Sequence, residues 1–211
     1  LGIEVRFVDS NQPENFAAAI DGNTRALFCE SVSNPALEIS DLEAIARIAE
    51  KHHLVIYAAE IYDQMTYDAA ECVPMATLVH HTLCCTMSGL SKVYRACGYR
   101  VGWAVFSGAI ENARDYLSAL ELLSSLRLCS NVAGQWAVQT ALGGYQSVKE
   151  LVRPGGRLYE SRKAIVDAVA RSNYLTLTVP RGALYAFVGV DTQRLPGFAG
   201  RPFAMDLLEH K

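Results

Sequence analysis

The chain has 211 residues, of which 51% are hydrophobic and 19% charged, and its formal net charge at pH 7 is -3. These values are typical of a globular protein and give no basic footprint for nucleic acid, while no apolar run approaches the roughly 20 residues of a membrane-spanning helix. No signal peptide is recognisable, so we expect a cytoplasmic protein that binds neither nucleic acid nor membranes.

The first half of the chain alternates between apolar strands and a helix. Residues 24–29 predict a buried strand, and the chain turns at Asn34-Pro35. A helix is predicted to begin at Ser40, because Glu43 three residues later completes a capping box, and to end near His52-His53. Further strands are predicted at 54–59, 82–87 and 99–106. This order indicates an α/β fold with a mainly parallel sheet and helices on both faces.

The second half of the chain changes character. Helices are predicted at 110–128, 132–142 and 157–170. Two strands at 174–179 and 183–188 are then predicted to form a hairpin around Pro180-Arg181-Gly182. The change places a domain boundary near residue 150. We therefore expect part of a large α/β domain over 1–150 and the start of a smaller α+β C-terminal domain over 151–211.

Two cationic side chains follow the third of the predicted sheet strands. Lys92 ends the segment Ser88-Gly89-Leu90-Ser91-Lys92, and Arg100 follows eight residues later. A lysine amine can form a Schiff base with an aldehyde, and an arginine fork can grip a phosphate. Pyridoxal 5'-phosphate carries both groups, so this pair could hold one cofactor at both ends. Ser88 and Ser91 are further candidate donors to its phosphate.

Three stretches carry a family resemblance: Glu60-Ile61-Tyr62-Asp63, Gly89 to Trp103 and Gln139 to Tyr145. They resemble fold-type-I aminotransferases that use pyridoxal phosphate, in particular the alanine aminotransferase-like branch. The resemblance runs from about residue 54 to the end of the chain and includes the phrase Arg181-Gly182-Ala183-Leu184-Tyr185. It implies a homodimeric or otherwise homo-oligomeric enzyme that transfers an amino group between an alanine-like amino acid and a 2-oxo acid.

The resemblance also implies roles for single residues. Lys92 would form the Schiff base and then move a proton on the substrate, and Arg100 would bind the phosphate. Tyr62 and Asn34 would contact the phenolic oxygen of the cofactor. Residues 1–150 would belong to the cofactor-binding large domain, and 151–211 to a truncated small domain.

Position 59 departs from the family pattern. Relatives carry there an aspartate that pairs with the ring nitrogen of the cofactor, whereas this chain has Ala59. Glu60 is adjacent, but neighbouring side chains of a strand point to opposite faces. We therefore expect Schiff-base formation to survive while amino transfer is badly weakened.

Two alternatives to an active aminotransferase stay open. The first 50 residues or so resemble the O-acetylhomoserine sulfhydrylase group of pyridoxal phosphate enzymes, which suggests a hybrid chain or a sulfhydrylase or lyase. A non-catalytic fragment is the other alternative, because the segment from Leu1 to Lys211 matches only the middle of a family member.

The cysteines and histidines are predicted to be structural. The six cysteines include no CxxC pair, so we expect buried reduced thiols rather than disulfides or zinc ligands. His52-His53 and His80-His81 lack a third ligand in the sequence, so no metal site is expected.

Overall fold

The computed structural model describes residues 2–210 apart from 35, 36 and 38, so Pro35 of the predicted turn lies outside the described residues. A four-stranded sheet with its strands side by side in chain order forms its centre. The first three strands are parallel and the fourth is antiparallel to the third. The mainly parallel sheet is therefore confirmed. The strands are β1 Ala26–Glu30, β2 Val55–Ala59, β3 Leu83–Gly89 and β4 Gly102–Gly108.

Helices and one small sheet complete the fold. The helices predicted from Ser40 and at 110–128, 132–142 and 157–170 are confirmed, and three further helices lie at 14–19, 148–152 and 200–209. A two-stranded antiparallel sheet is formed by β5 Leu175–Leu177 and β6 Val188–Val190. The helices are α1 Glu14–Ala19, α2 Leu42–Lys51, α3 Arg114–Arg127, α4 Val132–Gly143, α5 Val148–Val152, α6 Arg157–Ala170 and α7 Gly200–Glu209. Among the described residues, no helix has both the length and the apolar character needed to span a bilayer.

The main core lies between α2 and one face of the sheet. Alternate residues of the strands point into it, such as Cys29 of β1, Ala58 of β2 and Cys84 of β3. From the helix, Ile45 and Ala49 are fully buried against them. The apolar stripe of α2 thus packs against every second residue of the strands. Removing this apolar surface from water stabilises the fold by about 25 cal/mol per Å².

The start of α2 differs from the prediction by one residue. Asp41, not Ser40, is the N-cap, because its carboxylate accepts a hydrogen bond from the backbone N–H of Ala44 at 2.9 Å. Ser40 is buried, and its hydroxyl instead donates to the carbonyl of Glu30 at 3.4 Å. Aspartate and serine have nearly equal preferences for the N-cap position, so the sequence pattern alone does not distinguish Ser40 from Asp41.

The opposite face of the sheet is only partly covered. Helix α3 reaches it through Tyr116, whose hydroxyl lies 2.7 Å from that of Tyr57 on β2 and whose ring packs edge-on against Phe106 on β4. Phe28 on the same face of β1 remains 60% exposed. Helices therefore lie on both faces, as predicted, but they bury the two faces unequally.

The predicted hairpin around Pro180-Arg181-Gly182 is wrong. Gly182 instead bridges to Thr66, and the backbone N–H of Tyr67 donates to the carbonyl of Arg181 at 2.9 Å. The strands that do pair, β5 and β6, lie on either side of residues 178–187. This segment crosses from the C-terminal part of the chain to the loop after β2. The division near residue 150 stays a prediction.

The cysteines follow the prediction in part. All six are free thiols, and Cys29, Cys84 and Cys85 are buried. Cys97 and Cys129 are exposed and Cys72 is half-buried, so burial was wrong for these three. All three lie outside the central strands.

Candidate functional site

The carboxyl ends of the three parallel strands meet at one edge of the sheet. β1 ends at Glu30, β2 at Ala59 and β3 at Gly89, and Lys92 follows three residues after Gly89. Ligands of open parallel sheets bind at this edge, because the loops that leave the strands gather there. The predicted site residues are distributed over these loops.

The connection between β3 and β4 carries Lys92 on one arm and Arg100 on the other. Its base is closed by a hydrogen bond from the backbone N–H of Leu90 to the carbonyl of Val101 at 3.0 Å. A Cβ atom on Gly89 would lie 2.8 Å from the oxygen of Val101, so the two arms approach closely only because position 89 has no side chain. Any residue with a side chain at position 89 would force the two arms apart.

Lys92 contacts one tyrosine directly and is linked to a second through it. Its Nζ donates to the hydroxyl of Tyr185 at 3.1 Å, and the hydroxyl of Tyr62 donates to the same oxygen at 3.3 Å. The rings of the two tyrosines pack edge to face at 6.0 Å. Three separate segments thus converge on one oxygen atom: the loops after β2 and β3, and residues 178–187.

The two tyrosines are electrostatically different. Burial of Tyr62, together with its hydrogen bond to Tyr185, raises the pKa of its hydroxyl. The hydrogen bonds from Tyr62 and Lys92 lower the pKa of Tyr185, because both stabilise negative charge on its oxygen. The proton between the rings therefore stays on Tyr62, and Tyr185 acts as the acceptor.

Arg100 has an unusual backbone conformation. It follows a short 3₁₀ turn and adopts a left-handed φ of 51°. Its exposed guanidinium donates to the carbonyl of Cys97 at 2.7 Å. Within residues 2–210 as described, neither Arg100 nor Lys92 forms an ion pair with a carboxylate. Both cations are therefore available to an anionic or electrophilic ligand.

The remaining predicted residues surround this edge less directly. The hydroxyl of Ser88 donates to the carbonyl of Glu60 at 3.3 Å, and Ser91 is half-buried beside Lys92. The backbone N–H of Asn34 donates to the Glu30 carboxylate at 2.8 Å. The structure thus joins Lys92 and Tyr62 through Tyr185, and it places Asn34 next to an acid that was not predicted.

Sequence reasoning missed Tyr185 and Glu30 as site residues. The family phrase around Arg181 contained Tyr185, but its segment was predicted to be a strand of a hairpin. Glu30 carried no signal of its own, because its position opposite Ala59 follows only from the pairing of β1 with β2.

Glu60 points away from this edge of the sheet. It is 4% exposed, and its carboxylate accepts the backbone N–H of Met75 at 2.7 Å. Burial raises its pKa. The expectation that Glu60 does not replace an acid at position 59 agrees with this geometry.

A cavity of about 570 Å³ lies next to the site rather than in it. Tyr94 and Arg95 line it from the β3–β4 connection, and Trp136 lines it from α4. Lys92, Tyr62 and Tyr185 are not among its lining residues. The cluster around Lys92 is therefore defined by its hydrogen bonds and not by this cavity.

Comparisons with known proteins agree on one family over the whole chain. The family model for aminotransferase class I and II matches residues 1–211. Glutamate-pyruvate aminotransferase AlaA of Escherichia coli is 40% identical over 198 residues, which cover 92% of this chain and 49% of that protein. Alanine aminotransferase of Mycobacterium bovis is 38% identical over 187 residues, covering 86% of this chain and 44% of that protein. The chain spans about half the length of the curated relatives it matches.

Solved structures give the same result. The crystal structure of an aminotransferase from Escherichia coli superposes with a TM-score of 0.87 at 40% identity, covering 93% of this chain and 50% of that one. Alanine aminotransferase from Pyrococcus furiosus gives a TM-score of 0.84 at 28% identity, covering 94% of this chain and 50% of that one. Because the family model also covers the first 50 residues, the comparisons give no support to their separate resemblance to sulfhydrylases.

Proposed function

The chain belongs to the aminotransferase class I and II family, and we propose that it forms the cofactor-binding centre of an enzyme that moves an amino group between an alanine-like amino acid and a 2-oxo acid. Aminotransferases of this family depend on pyridoxal phosphate. We further propose that the chain works in the cytoplasm as a homo-oligomer, with these two small molecules as its partners.

The residues at the sheet edge fit pyridoxal phosphate at its two reactive ends. Lys92 presents an amine whose described partner is a phenol and not a carboxylate, so no strong ion pair must break before it binds an aldehyde. Arg100, with Ser91, would hold the phosphate, because its guanidinium is exposed and bonded only to a backbone carbonyl among the described contacts. Tyr62 and Asn34 would contact the phenolic oxygen.

The bound cofactor would supply a ring that takes up electron density when the substrate loses a proton. Lys92 Nζ is the group that we expect to carry this proton, since an amine near the reacting carbon is a suitable general base. Tyr185 would orient that amine by accepting one of its N–H groups. Tyr62 would stay protonated, because burial raises the pKa of its hydroxyl. Its O–H would therefore donate a hydrogen bond to the phenolic oxygen of the cofactor.

One observation carries this proposal: at the carboxyl edge of a parallel sheet, the amine of Lys92 donates to Tyr185, and the hydroxyl of Tyr62 donates to the same oxygen. A solvated surface lysine would not need a tyrosine from a distant segment to position it. The arrangement places a nucleophilic amine, an acceptor and a donor in one cluster.

Reductive trapping tests the proposal. The chain is mixed with pyridoxal phosphate, reduced with borohydride and digested, and the modified peptide is mapped by mass spectrometry. We expect a single adduct on Lys92 that is lost in Lys92→Arg but kept in the matched variant Lys149→Arg. An adduct that is absent or spread over surface lysines would contradict the proposal.

The reaction class is tested by product formation from the loaded protein. Alanine should yield pyruvate. Sulfide-dependent formation of homocysteine from O-acetylhomoserine, without pyruvate from alanine, would contradict an aminotransferase.

A further inference from the structure

Strand pairing places an acid beside the position where the family's aspartate is missing. In the parallel pair of β1 and β2, Glu30 is the register partner of Ala59. Cys29 and Ala58, which precede these two residues, both point into the main core. Since side chains alternate along a strand, Glu30 and Ala59 share the other face of the sheet. Their strands are about 4.8 Å apart.

Glu30 is the only acid in its row across that face. The row continues from Ala59 to Met87 on β3 and to Ala104 on β4. A glutamate is one methylene longer than an aspartate, which adds roughly 1.5 Å of reach. Because Ala59 is small and half-buried, it leaves room over β2 for a side chain that leans across from β1.

The carboxylate of Glu30 is already held at the functional edge. One oxygen accepts the backbone N–H of Asn34 at 2.8 Å, which leaves the second oxygen for another donor. Its negative charge also contributes to the raised pKa of Tyr62, so the two groups lie within electrostatic range. Glu30 thus lies at the same edge of the sheet as Tyr62, with its carboxylate fixed by the loop that carries Asn34.

We propose that Glu30 supplies, from the neighbouring strand, the carboxylate that Ala59 does not have, and that it accepts a hydrogen bond from the protonated ring nitrogen of bound pyridoxal phosphate. This inference rests on the proposed cofactor. No covalent step is involved: the proton stays on the ring nitrogen, and the carboxylate stabilises the positive charge. Glu30 would therefore place a negative charge beside the ring nitrogen from a different strand than the one that carries the family's aspartate.

The test uses Glu30→Gln, which keeps an oxygen for the Asn34 N–H and removes the charge. Protonation of the bound ring nitrogen is measured by NMR with isotope-labelled cofactor, and the dissociation constant is measured by titration. We expect a protonated nitrogen in the unaltered chain at neutral pH and an unprotonated one in Glu30→Gln. Loss of one charge-assisted hydrogen bond should weaken cofactor binding about 10-fold to 100-fold.

Two further variants separate this role from a general effect on folding. In the Ala59→Asp background, Glu30→Gln should leave ring protonation and affinity unchanged, because the new aspartate takes over; this result also shows that the chain tolerates glutamine at position 30. The matched control is Glu43→Gln, which removes an exposed acid paired with Arg47 on α2 and should change neither quantity.

Any of four results would overturn the inference. A ring nitrogen that stays protonated in Glu30→Gln, or one that is unprotonated in the unaltered chain, removes the role of Glu30 while the Lys92 adduct still supports the proposed function. An equal loss of affinity in the presence and absence of Asp at position 59 also contradicts it. Absence of the Lys92 adduct overturns both proposals.

Discussion

The amine of Lys92 lies 3.1 Å from the hydroxyl oxygen of Tyr185 and donates a hydrogen bond to it, although 93 residues separate the two in the chain. Tyr185 is 37% exposed, so solvent reaches the pair. The contact links the loop after β3 to the segment 178–187, so the position of the amine depends on a residue from outside the main sheet.

Tyr185 should titrate below an ordinary tyrosine. Its pKa is lowered first by the hydrogen bond from Tyr62 and then by Lys92, so Tyr62→Phe should raise it back toward the usual value. Ultraviolet titration of the phenolate checks this, with Tyr185→Phe identifying the transition that belongs to Tyr185. Tyr99→Phe, at an exposed tyrosine, serves as the control. If the phenol titration below the ordinary tyrosine pKa persists in Tyr185→Phe, that titration belongs to another residue.

Arg100→Gly should separate stability from cofactor binding. A left-handed φ costs a residue with a side chain roughly 1–2 kcal/mol, and glycine does not bear this cost. We expect thermal unfolding at an equal or higher temperature, together with cofactor affinity about 10-fold to 100-fold lower, because the phosphate loses its guanidinium.

The control for this prediction is Arg95→Gly, since Arg95 also has a left-handed φ of 53° but pairs with Ser147. It should relieve the same backbone strain and leave cofactor affinity unchanged. If Arg100→Gly binds the cofactor as tightly as the unaltered chain, Arg100 does not hold the phosphate.

Ala59→Asp should raise turnover, and the gain should depend on Glu30. Restoring a buried charge pair worth ~3 kcal/mol in the transition state changes a rate by more than about 100-fold, so this gain is expected in the Glu30→Gln background. With Glu30 present the gain should be smaller. Ala59→Asn has nearly the same size without the charge and should give no gain. The rate of pyruvate formation from alanine is measured for Ala59→Asp, for Ala59→Asp with Glu30→Gln, and for Ala59→Asn. A lower rate in Ala59→Asp than in the unaltered chain would contradict the idea that an acid at position 59 assists turnover.

Glu60 should make stability depend on pH. Burial raises its pKa in the folded state, so the unfolded chain loses this proton first as pH increases. The stabilisation is fully present below the ordinary glutamate pKa of about 4.3 and is lost as pH rises through the higher folded value. Glu60→Gln keeps an acceptor for Met75 and should abolish this part of the pH dependence.

Urea unfolding at a series of pH values measures this effect. Glu43→Gln, an exposed change on α2, should leave the slope of the unfolding free energy against pH unchanged. A slope that is identical in Glu60→Gln and in the unaltered chain would show that Glu60 is not the group responsible.

The strands and long helices were predictable because each has its own local pattern. The run before Glu30 and the stripe through Ile45 and Ala49 bury apolar surface in any compact arrangement, so the sequence determines them. The start of α2 was shifted by one residue because Ser40 and Asp41 are both good caps, and burial of Ser40 decided between them.

The errors concern contacts between distant segments. Pro180-Arg181-Gly182 has the composition of a tight turn, yet Gly182 pairs with Thr66, and this pairing carries Tyr185 to Lys92. The relation of Glu30 to Ala59 likewise depends on the register of two strands that the sequence does not specify. Lys92 and Arg100 could be singled out in advance because their chemistry is local to one loop.

The central sheet has two open sides. Within the described residues, β1 pairs only with β2 and β4 only with β3, so each outer strand presents unpaired backbone N–H and C=O groups. Phe28 and Val105 lie on these strands and are largely exposed. A second copy can dock edge to edge without any specific side-chain contact, so the oligomer distribution of this chain should vary with protein concentration, and rates per chain are comparable only when that concentration is matched.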